Sequence, residues 1–200
     1  MRGRIIFLLE EPSMATLLNG LLPRMFPGWA AGQQFLCVPH EGKSDLERSL
    51  PRKLRKLRNW QIPDDRFVVV RDNDAHPDCH VHKRRLSESC ASHGRPDTLV
   101  RLICQELESW YVGDLAALAL AYEMPSLDST RSRRKYAMPD AIAKPSAELK
   151  REIRTFQKGD AARRMAALLN PAVNRSPSFA VFLTGVRRLA DEMGDVRATQ

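Results

Sequence analysis

The chain has 200 residues, 43% of them hydrophobic and 28% charged, and a net charge of +8. This composition excludes a disordered or low-complexity protein and suits one compact domain, or a domain with a helical extension. No apolar stretch reaches membrane-span length, and the four cysteines lack paired spacing, which predicts reduced thiols rather than a disulfide framework.

Ile5–Leu9 is a continuous apolar run, too short for a signal-peptide core and stopped by Glu10 and Glu11. It reads as a buried strand, and a cytoplasmic location is expected. Pro12 and Ser13 open an amphipathic helix with Met14, Leu17, Leu18, Leu21 and Leu22 on one face, ended by Pro23, Pro27 and Gly28. A second strand is expected at 34–38, followed by a loop through Gly42 and Lys43. Ser44 or Asp45 is expected to cap a basic helix in which Leu46, Leu50, Leu54 and Leu57 share a face. Arg48, Arg52, Lys53, Arg55, Lys56 and Arg58 cover its other faces, and Pro51 divides it or starts a second turn. Those charges suit either a solvated face or nucleic-acid contact.

Residues 66–74, RFVVVRDND, organise the chain. Phe67 to Val70 form an apolar run with no polar alternation, the pattern of a strand buried on both faces of a parallel sheet. Asp72 and Asp74 follow, where open α/β sheets place their ligands. Buried carboxylates need partners, and a hard cation such as Mg²⁺ or Mn²⁺ takes oxygen ligands. Asp74 also suits a helix cap.

A helix is expected at 76–90. The segment from Asp72 to His82 is rich in ligand types, but Pro77 and Lys83 break an EF-hand pattern and zinc spacing is absent. His76 is positioned by sequence to approach a metal at Asp74, whereas His80 and His82 read as helix-surface residues. Cys37 and Cys104 read as core. A fourth strand is expected at 97–103, then a long helix over 105–122 with Glu106 and Glu108 at its start. Residues 124–145 read as a basic loop, 146–156 and 161–169 as helices, and 179–189 as a final amphipathic helix carrying Val181, Phe182, Val186 and Leu189.

This order predicts an α/β fold with a mainly parallel four-stranded sheet flanked by helices, and acidic residues on three of four strand ends at one sheet edge. The expected division is an α/β domain at 1–123, the basic loop at 124–145, and a C-terminal helical extension at 146–200 packed on the domain.

A strand ending in Glu, then helix, strand, helix and a strand ending in Asp-x-Asp resembles the TOPRIM arrangement of primases, topoisomerases and OLD-type nucleases. The chain more closely resembles a bacterial TOPRIM-like family labelled only as a domain of unknown function. The resemblance rests on Glu10, Gly42-Lys43, Asp72 and Asp74, Glu106 and Glu108 before Trp110 and Tyr111, Gln157-Lys158, and Ser178-Phe179. TOPRIM proteins usually carry Gly after the catalytic Glu; here it is Glu11. Glu41-Gly42 copies the Glu-Gly pair superficially, but leaves too few strands before Asp72.

The resemblance implies Mg²⁺- or Mn²⁺-dependent phosphodiester hydrolysis. Glu10, Asp72 and Asp74 are the expected catalytic residues, and Glu10, Glu11, Asp72, Asp74, Glu106 and Glu108 the expected metal ligands. Two ions roughly 3.5–4 Å apart could clamp attacking and leaving oxygens. Lys43, Lys158 and Arg175 are the expected phosphate contacts, and nucleic acid the expected partner. The alternative is a non-catalytic TOPRIM-like subunit of an ABC- or AAA-type ATPase complex in phage defence.

Overall fold

Four apolar runs alternate with helices, and each crossover returns the chain to the same edge, so the strands pair in parallel. They are β1 (Ile5–Leu9), β2 (Phe35–Pro39), β3 (Arg66–Asp72) and β4 (Leu99–Ile103), in the spatial order β2-β1-β3-β4. The computed structural model describes residues 3–59, 65–74 and 78–198. Leu9 lies opposite Pro39 on one side and Val70 on the other, and Asp72 lies opposite Ile103. Glu10 therefore leaves β1 at the level where β3 ends.

The side-chain alternation of β1 divides two cores. Ile6 and Leu8 join Phe67, Val69 and Val100 beneath α2 (Lys43–Asn59) and α3 (Cys79–Ser92), which contribute Leu46, Leu50, Leu54, Leu86 and Cys90. Ile5, Phe7 and Leu9 face the opposite core, which contains α1 (Pro12–Met25), α4 (Glu108–Val112), α5 (Leu115–Ala121), α7 (Pro145–Glu152), α8 (Lys158–Leu168) and α9 (Pro177–Ala198). The result is a three-layer α/β arrangement.

The β1 and β3 chains leave neighbouring strand ends for opposite faces, α1 to one and α3 to the other. That divergence opens a crevice at the C-terminal edge, the usual ligand position in open α/β sheets.

Two close approaches set the helical layer on that edge. A Cβ at Gly20 in α1 would stand 2.8 Å from the Ala166 Cβ in α8. Only a side chain of hydrogen lets these two helices meet so closely, and their contact brings the start of α8 beside the start of α1. On α9, Phe179, Phe182, Leu183, Val186, Leu189 and Met193 form the buried stripe. Phe182 reaches Trp110 with ring centroids 5.0 Å apart and Phe7 at 6.2 Å.

Several sequence expectations are corrected. Pro23 does not end α1, which runs past it to Met25 and stops just before Pro27 and Gly28, and Pro51 does not divide α2, which runs through it. Leu46, Leu50 and Leu54 are buried on both sides of Pro51, so tertiary burial outweighs the missing hydrogen bond. Ser44 and Asp45 lie inside the first turn of α2, not before it; the Asp45 carboxylate accepts from the Glu41 N–H at 3.2 Å. The helix after β3 is capped by Asp78, which accepts from His80 and Val81 N–H groups. The expected helix start at 76 and 77, and His76 itself, lie outside the described residues, as do the side chains of Lys56, Leu57 and Arg58.

The expected long helix over 105–122 is two short ones, α4 and α5. Asp114 separates them, because its carboxylate caps α5 by accepting from Ala117 N–H at 3.0 Å and also takes the Asn170 N–H at 2.8 Å. The 124–145 segment contains α6 (Thr130–Lys135), two 3₁₀ turns and a buried Tyr136 rather than loop alone. Val181 is 53% exposed and lies off the buried stripe of α9. His82 is buried, its Nδ1 3.1 Å from the Asn73 side-chain oxygen, and is no surface residue. Cys37 and Cys104 are half-buried free thiols.

Asp114 is itself 3% exposed, so Asp114→Ala would strand two backbone donors away from water. The expected loss is about 2–4 kcal/mol, read as a lower urea midpoint with an unchanged slope. Asp114→Asn, which keeps one acceptor, is expected to lose less than half of that.

Candidate functional site

The crevice between β1 and β3 is acidic because three strand exits deliver carboxylates to it. Glu10 follows β1, Asp72 closes β3, and Glu108 opens α4 just after β4. The Glu10 Oε2 accepts from the Asp72 N–H at 3.1 Å and lies 3.5 Å from the Arg71 Nε. Burial raises the Glu10 pKa to about 6 against the lowering pull of the Arg71 guanidinium, and the Asp74 carboxylate adds to the rise.

Asp72 is 4% exposed, and its Oδ1 has no hydrogen-bond partner. Burial first, then the charges of Glu10, Glu11 and Glu108, hold its pKa well above the carboxylate range. Glu108 is also buried, with an unpartnered Oε2; burial lifts its pKa to about 7 against the attraction of Lys158. The hydroxyl of buried Tyr111 is unpartnered too, and burial plus the charges of Glu108, Glu11 and Asp72 hold it protonated. Three orphaned polar atoms belonging to one electrostatically coupled cluster are unusual, since buried polar groups are normally satisfied.

Two cations oppose this charge. Lys158, the first residue of α8, places its Nζ 3.2 Å from the Glu11 Oε2. Burial alone would lower the Lys158 pKa, but Glu108, Glu11 and Asp72 together hold it above the ordinary lysine value. Arg71 is 7% exposed and bonded to Glu47.

A loop-to-loop clamp fixes the crevice. Gly42 adopts φ +96°, a left-handed conformation that L side chains resist, and donates its N–H to the Glu10 carbonyl at 2.9 Å. His40 donates Nδ1–H to the Leu9 carbonyl at 2.8 Å, which leaves Nε2 to accept from Lys53 at 2.8 Å. Burial, and then the Lys53 charge, lower the pKa of this ring against the raising effect of the bond to Leu9.

The expected site residues divide into three groups. Glu10, Glu11, Asp72, Glu108 and Lys158 form the coupled cluster. Asp74 borders it, half exposed at φ +48°, with its carboxylate 3.4 Å from Lys43 Nζ. Its backbone N–H bonds to the Gln105 carbonyl at 2.9 Å, which ties the two strand exits together.

Glu106 and Arg175 are engaged elsewhere. Glu106 accepts from Ser146 N–H at 2.9 Å, at the first turn of α7. Arg175 donates to the Tyr136 carbonyl at 3.3 Å and lines a separate depression with Arg133 and Asp128. Sequence reading gave no role to Arg71, Glu47, His40 or Tyr111. Arg71 sits inside the organising stretch, so its alternation with Asp72 at a strand end was the available signal. The other three become visible only when distant segments meet.

The donor set suits a hard cation in chemistry: carboxylate oxygens, two of them buried without partners. Among the described residues, however, no group of three or more His, Cys, Asp and Glu side chains is arranged as a ready metal cage. No helix among them is long and apolar enough to cross a membrane.

Lys158→Met would leave Glu11 and Glu108 without their counter-ion. With the Lys158 side chain 38% exposed, the expected loss is about 1–2 kcal/mol at pH 8 and less at pH 5, where protonation relieves the cluster. Urea unfolding at the two pH values checks this.

Comparison with curated proteins found no match, and comparison with solved structures found none either. A family model described as "Domain of unknown function (DUF4276)" matches residues 9–187, a span that runs from the end of β1 through the first half of α9 and includes every carboxylate of the cluster; the chain belongs to that family.

Proposed function

We propose that this chain is a TOPRIM-like, Mg²⁺- or Mn²⁺-dependent phosphodiesterase acting on nucleic acid. The observation that carries the reading is Asp72: a buried carboxylate with an unpartnered oxygen, at the crossover crevice of a parallel sheet, coupled to Glu10 and Glu108. Its desolvation is costly unless a cation or a proton compensates it. Glu10, Asp72 and Asp74 would hold the ion, with Glu108 behind them. A bound ion would supply Lewis acidity at a phosphoryl oxygen and a nucleophilic water at neutral pH.

The chain's own residues carry the rest. Glu10, whose pKa is about 6 without an ion, would take a proton near neutral pH if Asp72 and Asp74 hold the ion without it. Lys158 moderates the charge of the cluster, and Arg71 holds Glu10 in place. Lys43 and the net charge of +8 favour a polyanionic substrate.

The test is cleavage of labelled plasmid, single-stranded DNA and tRNA with Mg²⁺ or Mn²⁺, wild type beside the Asp72→Asn/Asp74→Asn double variant. Cleavage by wild type alone supports the proposal and names the substrate class. Absence of cleavage on all three counts against it.

A second reading, a non-catalytic TOPRIM-like subunit of an ATPase complex, is favoured by one observation. Lys158 and Arg71 already lie against Glu11 and Glu10, so cationic side chains partly fill the role of an ion. Nucleic-acid binding without cleavage, together with co-purification of an ATPase, would support it.

A further inference from the structure

Beside the acidic crevice lies a cavity of about 390 Å³ whose polar lining is Lys43, Arg71, Asn73, Asp74, His82 and Arg85. We infer that this cavity is a phosphate-binding subsite, built to hold one phosphate group of a nucleic-acid strand next to the carboxylates. The inference rests on the nucleic-acid reading of the site for its substrate class, but not on cleavage.

Three cations line the cavity against one carboxylate, Asp74. The two guanidiniums are pre-oriented from behind: Glu47 accepts from Arg71 with one oxygen and from Arg85 with the other, at 2.6 Å for Arg85. Arg71 also has the Glu10 carboxylate at 3.5 Å, whereas among the described residues Arg85 has only its share of Glu47, so Arg85 is the less compensated cation of the pair. Arg71 is nearly buried while Arg85 is 68% exposed, so one cation is fixed and the other accessible. Planar guanidiniums held in place are suited to the oxygens of a phosphate. Lys43, 57% exposed at the start of α2, also lines the cavity, with its Nζ 3.4 Å from the Asp74 carboxylate.

The position is also right for a strand threading the site. Arg71 is the residue before Asp72, and its Nε lies 3.5 Å from the Glu10 carboxylate. A phosphate seated on Arg71 and Arg85 would therefore neighbour a second group at the acidic crevice. Arg48, Arg52 and Arg55 on α2 and Lys83 and Arg84 on α3 extend the positive surface away from the cavity on the same face of the sheet. Phosphate contacts of this kind position a strand without reading its sequence.

The test is fluorescence anisotropy of a labelled single-stranded oligonucleotide in EDTA, so that neither cleavage nor metal enters. Two probes are compared, one with a 5′-phosphate and one with a 5′-hydroxyl. Arg85→Glu, an exposed helix-surface change expected to fold, is measured beside Arg188→Glu on α9 as a control for net charge. Arg85→Glu is expected to weaken binding about tenfold or more beyond the control, the loss of one charge-assisted contact.

If only the 5′-phosphate probe is affected, the subsite takes a terminal monoester. If both probes are affected equally, it takes an internal diester. Either result supports the subsite. Equal small effects from Arg85→Glu and Arg188→Glu on both probes would overturn it. Binding that depends on Arg85 in a protein that never cleaves would leave the subsite standing and remove the phosphodiesterase proposal.

Discussion

Asp72→Asn is expected to lower metal-dependent cleavage by roughly 10²-fold or more while raising the unfolding temperature of the metal-free protein. The two effects have one cause. Asp72 is 4% exposed, its Oδ1 is unpartnered, and Glu10, Glu11 and Glu108 add repulsion to the cost of burial. At neutral pH the fold must either hold that charge or bind a proton to remove it. Asparagine has nearly the same shape and no charge, so the cost disappears. A gain of about 1–2 kcal/mol, or roughly 2–8 °C for a chain of this size, is expected.

The same substitution weakens the hold on a divalent ion and alters the charge around Glu10, and losses of that order are usual for such groups. Thermal melts in EDTA and cleavage assays on the same preparation check both arms. Undiminished cleavage by a folded Asp72→Asn protein would remove Asp72 from the chemistry. A lower melting temperature would mean that its carboxylate is satisfied by a partner in solution.

The second large effect is a fall of stability with rising pH that metal largely offsets. Glu10 and Glu108 have folded pKa values raised to about 6 and about 7 from ordinary values of 4.5, and burial also holds that of Asp72 well above its ordinary value. Between pH 4.5 and 7 the folded state therefore holds more protons than the unfolded chain. Stability from these groups is complete below the unfolded pKa values and is lost as pH rises through the folded ones. For Glu108, which is 1% exposed, the change is roughly 3 kcal/mol. Without metal, stability should fall from pH 5 to pH 8.

The contribution of a bound metal has the opposite pH dependence, because ligands must be deprotonated to bind. With Mn²⁺ or Mg²⁺ at about 100 times its dissociation constant, about 2.7 kcal/mol of stabilisation is expected at pH 8 and almost none at pH 5. Melting curves at both pH values, with and without the ion, measure this directly. An ion that stabilises equally at both pH values, or equally in Asp72→Asn, would place its binding elsewhere on the protein.

Much of the fold was legible in the chain because it rests on local pattern. The apolar runs at Ile5–Leu9 and Phe67–Val70 have no polar alternation, and only a sheet covered on both faces buries such a strand. Alternation of those runs with helical stripes predicts parallel crossovers, and the strand exits then share an edge. Glu10 and Asp72 could be named together from that argument, with Glu106 and Glu108 as equal candidates at the third strand exit. Element ends were less legible, since burial of Leu46, Leu50 and Leu54 carried α2 through Pro51, and the buried Asp114 broke one expected helix into two.

The sequence by itself determined the parallel α/β layering and the acidic edge, because side-chain periodicity and strand-end position are properties of neighbouring residues. Only the tertiary structure decided which charges meet. Contact between Gly20 and Ala166 brings Lys158 to Glu11 across the helical layer, and Glu106 turns to the first turn of α7 instead of the crevice. Glu47 joins Arg71 to Arg85. These pairings join residues tens to more than a hundred positions apart, where no local spacing encodes distance, and burial at the meeting point sets how strongly each charge is felt.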